Sequence, residues 1–183
     1  MTKVGILVGS LRKESYSKKL AENVATLFPE GYATEFVGID MPVFNPDYDE
    51  ENRVPAEYTA FRNTVKDMDA VLFVTPEYNR SVPGGLKNAL DVGSRPYGAS
   101  VWDGKPAAII SNSPGNLSAF GANHHLRQPL VFLNMPVLQQ PEAYIGNVAA
   151  MLDENGKITD ERTVAFLQSF VNAFVEWIKT HQA

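Results

Sequence analysis

Arg12 stands among Ser10, Ser15 and Ser17, directly after an apolar run that ends at Val8. A planar guanidinium fork and several hydroxyls suit the oxygens of a phosphate. Beyond them Leu20, Val24, Leu27 and Phe28 fall at helical spacing, so the group occupies a strand-to-helix turn. Such a turn aims unpaired backbone N–H groups at one spot, helped by the positive end of the helix dipole. Gly9 permits the tight bend, and Tyr16 belongs to the same candidate ligand-binding group. The segment has no Gly-x-Gly-x-x-Gly, which argues against a dinucleotide fold, and no Gly-Lys-Ser/Thr ending of a P-loop. A monophosphate fits these residues better. The competing reading is a capped helix start with solvated serines.

A second cluster follows Thr75. It runs Pro76-Glu77-Tyr78-Asn79-Arg80-Ser81-Val82-Pro83-Gly84-Gly85 and leads into Leu86. Two prolines and two glycines fix an irregular path that can hold N–H and C=O groups at set positions. A flavin ring makes that demand: donors at N5 and O4, an acceptor at N3–H. Tyr78 offers an apolar wall and Asn79 an amide; a Pro-stiffened turn with an exposed tyrosine is the plainer alternative. A third segment, Ser111 to Gly121, is rich in small polar residues that let backbone approach a ligand closely. Taken alone it reads as an ordinary flexible loop.

The elements that position these loops follow from apolar patterning. Strand patterns cover Lys3–Val8, Ala33–Ile39, Ala70–Thr75, Ala107–Ser111 and Pro136–Gln139. The first, third and fourth are nearly continuous, as for parallel strands covered on both faces. Helical stripes lie between them: Leu20 to Phe28; Phe61, Val65 and Met68; Leu86, Ala89 and Leu90; Leu126, Leu130 and Leu133. A last stripe joins Val164, Leu167, Val171, Phe174 and Ile178, with Thr159 or Asp160 as its N-cap and Glu161 in its first turn. Alternating strands and helices imply an α/β, doubly wound parallel sheet with helices on both faces. Five strands favour the flavodoxin-like order 2-1-3-4-5, whose switch point lies between strands one and three. The three loops therefore should meet at the carboxyl edge. Asp40–Pro55 and Pro141–Lys157 read as long loops, the second closing on a turn at Asp153-Glu154-Asn155-Gly156.

The 183 residues form one expected domain, 44% hydrophobic and 20% charged, large enough to bury a core unaided. A formal charge of −5 gives no support for a nucleic-acid partner. The absence of cysteine excludes disulfides, thiol catalysis and thiolate metal sites, so a redox role needs a bound cofactor. The apolar start is too short for a secretory signal, and no run approaches the ~18 apolar residues of a membrane span. A cytoplasmic protein is expected, without a membrane partner.

On these residues the chain resembles the NADPH-dependent FMN reductase family, the flavodoxin-like group that includes bacterial quinone, azo-dye and chromate reductases. Gly9-Ser10-Leu11-Arg12 with Ser15 resembles its phosphate loop. Pro76-Glu77-Tyr78-Asn79, Ser81 and the stretch Pro83 to Asp91 resemble its flavin-ring loop almost residue for residue. Leu126-Arg127-Gln128 also matches. The resemblance runs from about Lys3 to Leu138. It implies FMN phosphate near Ser10, Arg12, Ser15 and Ser17, and the ring near Pro76, Glu77, Tyr78 and Asn79, with Asn112, Ser113 and Gly115 closing the site. It also implies a homodimer or homotetramer with a neighbouring subunit close to the flavin.

The chain departs from the family pattern in places. Ser17 stands where the family usually has Asn, and Asn112 where it usually has a small hydroxyl residue. Ser118-Ala119 replaces a frequent Gly-Gly pair, Pro114 and Phe120 are unusual, and Arg80 replaces a residue that is often aromatic. These changes bear on acceptor choice.

The implied activity is transfer of a hydride from NADH or NADPH to FMN and of two electrons onward to a quinone, azo compound or flavin. Backbone N–H groups of the second loop, with Arg80, are expected to stabilise reduced flavin, and no catalytic side chain is required. A flavodoxin-type electron carrier is the alternative; a Thr-rich phosphate loop and strong acidity would mark one. No metal site is expected. His124 and His125 are read as polar surface or interface residues. His181 is read as a helix-end residue favoured by the dipole. Trp102 and Tyr97 line either a site mouth, a subunit contact or a packed loop.

Overall fold

The computed structural model describes residues 1–181. The chain runs β1 (Thr2–Val8), α1 (Tyr16–Ala25), β2 (Tyr32–Phe36), α2 (Asp47–Glu50), α3 (Ala56–Lys66), β3 (Ala70–Thr75), α4 (Gly84–Gly93), β4 (Ala107–Asn112), α5 (Phe120–Phe132), β5 (Ala143–Ile145), α6 (Val148–Met151) and α7 (Glu161–His181). The strands form one five-stranded sheet in the order β2-β1-β3-β4-β5. Every pairing is parallel, with Val4 opposite Thr34 and Ala70, and Val71 opposite Ala107.

The apolar runs of β3 and β4 are continuous because both faces are covered; every residue of the two strands is buried. Successive side chains point to opposite faces. Leu72, Val74, Ala108 and Ile110 pack with Leu20 and Val24 of α1 and Leu167, Phe170, Val171 and Phe174 of α7. Val71, Phe73, Ala107 and Ile109 pack with Phe61 of α3, Leu86 and Leu90 of α4, and Leu126 and Leu130 of α5. Each fully buried Leu, Val or Phe contributes about 1.5–3 kcal/mol, so the central strands are the most firmly held part of the chain. Trp102 belongs to this second core: it is fully buried, and its Nε1 donates to the Leu90 carbonyl at 3.0 Å. Tyr97 is 94% exposed. Asp160 caps α7, its Oδ2 accepting from the Thr163 N–H at 2.8 Å.

The fifth strand corrects the sequence expectation. Pro136–Gln139 forms no strand; Val137 makes a single bridge to Ala107. The ladder resumes only at Ala143–Ile145, beside Ile110–Asn112. Pro141 lies in the gap and has no N–H to give a ladder. Pro141–Lys157, expected as a loop, therefore contains β5 and the single turn α6, while its Asp153–Gly156 turn forms as expected, Asp153 Oδ1 accepting from Asn155 and Lys157 N–H. Likewise Asp40–Pro55 contains α2. The β2 ladder ends at Phe36 rather than Ile39. Among the described residues no helix is long and apolar enough to cross a membrane.

The 40–55 segment is tied to the α3–α4 face. Arg62 grips Asp49 through two bonds of 2.7 Å and donates its Nε to the Val92 carbonyl. Asn88 accepts from the Phe44 N–H at 2.7 Å and donates to the Pro42 carbonyl at 2.9 Å.

Candidate active site

The loops after β1, β3 and β4 leave the sheet at its carboxyl edge and enclose one cleft of about 150 Å³. The first contributes Ser10, Arg12, Ser15, Tyr16 and Ser17. The second contributes Pro76, Glu77 and Tyr78, and the third Asn112, Ser113 and Pro114. A larger hollow of about 750 Å³ opens between the amino ends of the strands, near Thr2, Asp69 and Lys105. It lies on the wrong edge, since open α/β sheets bind ligands beyond the carboxyl ends of their strands.

The first loop builds a cationic pole. Ser15 is the N-cap of α1, its Oγ accepting from the Lys18 N–H at 3.1 Å and its carbonyl accepting from Lys19. The N–H groups of Tyr16 and Ser17 come too early in the helix for an intrahelical acceptor. No acidic residue sits in that first turn. Arg12 lies 5.8 Å from the Tyr16 ring centroid and makes no ion pair among the described residues. Helix dipole, open N–H groups and an uncompensated guanidinium thus converge on one mouth. Gly9 is required beneath it: a Cβ there would stand 2.8 Å from Thr75 Oγ1 and 3.2 Å from Pro76 Cδ.

The second loop is a two-residue hairpin. Tyr78 and Ser81 exchange N–H···O bonds of 3.1 and 3.0 Å, and Asn79 and Arg80 at the tip have φ of 52° and 64°. Primed hairpin turns need this left-handed backbone, which Asn tolerates and Arg adopts at some cost. Asn79 forms the tip of the turn and is not among the residues that line the cleft. Arg80 is also outside the lining, exposed and bonded to Glu77 Oε1 at 3.2 Å.

In the third loop Asn112 is buried, and its amide meets Ser17 Oγ, Nδ2 donating at 3.0 Å. The same Nδ2 donates to the Thr75 carbonyl at 3.3 Å. Asn112 thus ties β4, β3 and α1 together under the cleft. Ser113 stands at the lining and donates its Oγ to the Gly115 carbonyl at 2.8 Å. That carbonyl also accepts from Asn147 N–H at 3.3 Å, so Gly115 holds the loop to β5–α6 and lies outside the lining. Pro114 is the lining residue that the sequence did not single out for the ligand; its position at the end of β4, before Gly115, is the one signal for it.

His124 and His125 lie away from the cleft lining. His124 Nε2 is 2.9 Å from the Tyr144 hydroxyl, and His125 Nδ1 is 3.0 Å from Ser81 Oγ. Burial, then hydrogen bonding to the Glu142 carboxylate, pushes the Tyr144 phenol up to about 12. His181 Nδ1 approaches the Trp177 carbonyl at 2.8 Å at the end of α7.

The model of the NADPH-dependent FMN reductase family matches residues 2–150. The chain belongs to that family. The reductase is 53% identical over 181 residues to a quinone reductase of Pseudomonas putida, across 98% of this chain and 96% of that protein. It is 43% identical to a 2-hydroxy-1,4-benzoquinone reductase of a Burkholderia species, across 97% and 96%. Among solved structures it superposes on FerB, a flavoenzyme NAD(P)H:(acceptor) oxidoreductase from Paracoccus denitrificans, with a TM-score of 0.93 at 40% identity over the whole of both chains. The reductase is thus an FMN-dependent oxidoreductase with a flavodoxin-like fold.

Proposed function

We propose that the reductase holds FMN in the carboxyl-edge cleft, takes a hydride from NADH or NADPH and delivers two electrons to a quinone. The observation that carries this reading is the convergence of uncompensated Arg12 with the amino end of α1 on the same cleft as the Pro76–Tyr78 backbone. FMN, when bound, supplies the hydride chemistry.

The chain's own residues do the binding and orienting. Arg12, Ser10 and the first N–H groups of α1 would hold the phosphate, with Ser15 and Tyr16 beside them. Ser17 serves from behind, its hydroxyl engaged with Asn112. Pro76, Glu77 and Tyr78 would lie along the ring, with Asn112, Ser113 and Pro114 on the other wall. Asn79 and Gly115 act through the backbone of their loops. The relatives named for quinone reduction support that acceptor class and favour turnover over simple electron carriage.

A cleft of about 150 Å³ is smaller than the ~300 Å³ at which small-molecule pockets usually begin. One chain therefore encloses an FMN-sized ligand only in part. Exposed Tyr78 in the lining and exposed Leu117 and Phe120 at the third loop and the start of α5 offer apolar surface that a second copy would cover. A homodimer or homotetramer closing the site accords with both observations. We place the one-domain chain in the cytoplasm, where reduced nicotinamide nucleotides are available.

The test is the purified protein with FMN, each nucleotide and 1,4-benzoquinone, followed by nucleotide oxidation. Flavin reduction by either nucleotide and quinone-dependent turnover are expected. Bound FMN that neither nucleotide reduces would leave the electron-carrier alternative.

A further inference from the structure

Glu77 carries an observation that the binding site does not use. Its side chain is 11% exposed although it lies at the rim of an open cleft. Its Oε2 accepts the N–H of Ala122, 45 residues away, at 3.0 Å. Ala122 is the third residue of α5, and its N–H is one of those that a helix start leaves without an internal acceptor. The helix has no cap of its own. Ala119, at the N-cap, is left-handed with φ of 58° and has no side chain to accept a bond. The first turn contains no acidic residue. A carboxylate from another loop supplies both the missing acceptor and the negative charge that the positive end of the helix favours.

The approach is closely fitted. A Cβ on Gly121 would stand 2.8 Å from Glu77 Oε2 and 3.0 Å from the Arg80 carbonyl. Only glycine lets the carboxylate reach the helix without displacement. Arg80 holds the other oxygen, Oε1, so the carboxylate is oriented from both sides. One side chain thus joins the second loop, which forms one wall of the cleft, to the start of α5, which follows directly on the third loop.

We propose that Glu77 is a positioning residue that fixes the third loop against the second and so sets the mouth through which nucleotide and acceptor must reach the cleft. The consequence for substrates rests on the function proposed above; the coupling of the loops does not.

Hydrogen exchange on the FMN-free chain tests the coupling. Removing a charged acceptor from a buried N–H should speed exchange across residues 117–126 by about tenfold in Glu77→Ala. Gly121→Ala, which leaves the carboxylate intact and pushes it away, should do the same. Glu77→Gln, which keeps an acceptor oxygen, should restore most of the protection. Exchange in β1 should be unaltered in all three. Wild-type protection over 117–126 in Glu77→Ala, or a rise spread equally over β1, would overturn the proposal. In the FMN-loaded enzyme, Glu77→Ala should raise KM for nucleotide and quinone, and Glu77→Gln should bring it back most of the way. An unaltered KM would remove the positioning role. A wild-type chain that takes up no FMN would defeat the proposed function and leave the exchange result to decide the coupling.

Discussion

Asn112 donates its Nδ2 to Ser17 Oγ at 3.0 Å, across 95 residues of sequence, and both side chains are almost wholly buried. The same Nδ2 reaches the Thr75 carbonyl. Two departures from the family pattern therefore touch each other. By the resemblance the family has Asn at 17 and a small hydroxyl residue at 112; here the hydroxyl stands at 17 and the amide at 112, and the two bond each other.

This exchange makes a direct prediction. Ser17→Ala and Asn112→Ala each leave a buried polar partner unsatisfied and should cost about 1–3 kcal/mol. Ser17→Asn alone crowds two amides, and Asn112→Ser alone leaves two short hydroxyls out of reach. The double swap should recover most of the loss of both. Urea unfolding of the four single variants and the double variant checks it; strictly additive losses would mean that the two residues are not coupled.

Arg12→Ala should weaken FMN binding by at least about tenfold, because among the described residues the charged fork makes no ion pair and is left to meet the phosphate. Titration of flavin fluorescence measures it. Affinity equal to wild type would remove the phosphate role from Arg12.

Arg62 and Asp49 form a nearly buried ion pair, with side chains 11% and 12% exposed. Removing one partner strands the other. Arg62→Ala should destabilise the fold by about 3 kcal/mol and loosen the 40–55 segment. Denaturant unfolding gives the first effect, and limited proteolysis within 45–53 the second.

Asp160 governs part of the acid sensitivity. Its side-chain bond to Thr163, then the backbone bond, holds its carboxyl below the ordinary 3.8. A lowered native value means that the contribution is complete above 3.8 and fades as pH falls through the native value. Asp160→Asn, which keeps a capping oxygen without the charge, should lower thermal stability at pH 7 and flatten the fall in stability below pH 3.8. An acid limb identical to wild type would show that the cap does not titrate with folding.

Much of the fold was readable locally because its signals come from near neighbours in the chain. The unbroken apolar runs of β3 and β4 announce strands covered on both faces. The Asp160 cap and the stripe from Leu167 to Ile178 mark α7. Ten of the twelve residues expected at the site line one cleft, since topology alone sends the loops after β1, β3 and β4 to a common edge. What tertiary structure decided lies in contacts that no local spacing encodes. The chain breaks at Pro141 and rejoins the sheet at Ala143 because a ladder position needs an N–H that proline lacks. Asn79 sits at the tip of the hairpin between Tyr78 and Ser81, outside the cleft lining, where a left-handed residue is needed. Gly115 turns away because its carbonyl is claimed by Ser113 and Asn147. The bonds of Ser17 to Asn112 and of Glu77 to Ala122 bridge 95 and 45 residues. Only the packing of helices on both faces of the sheet brings those partners within reach.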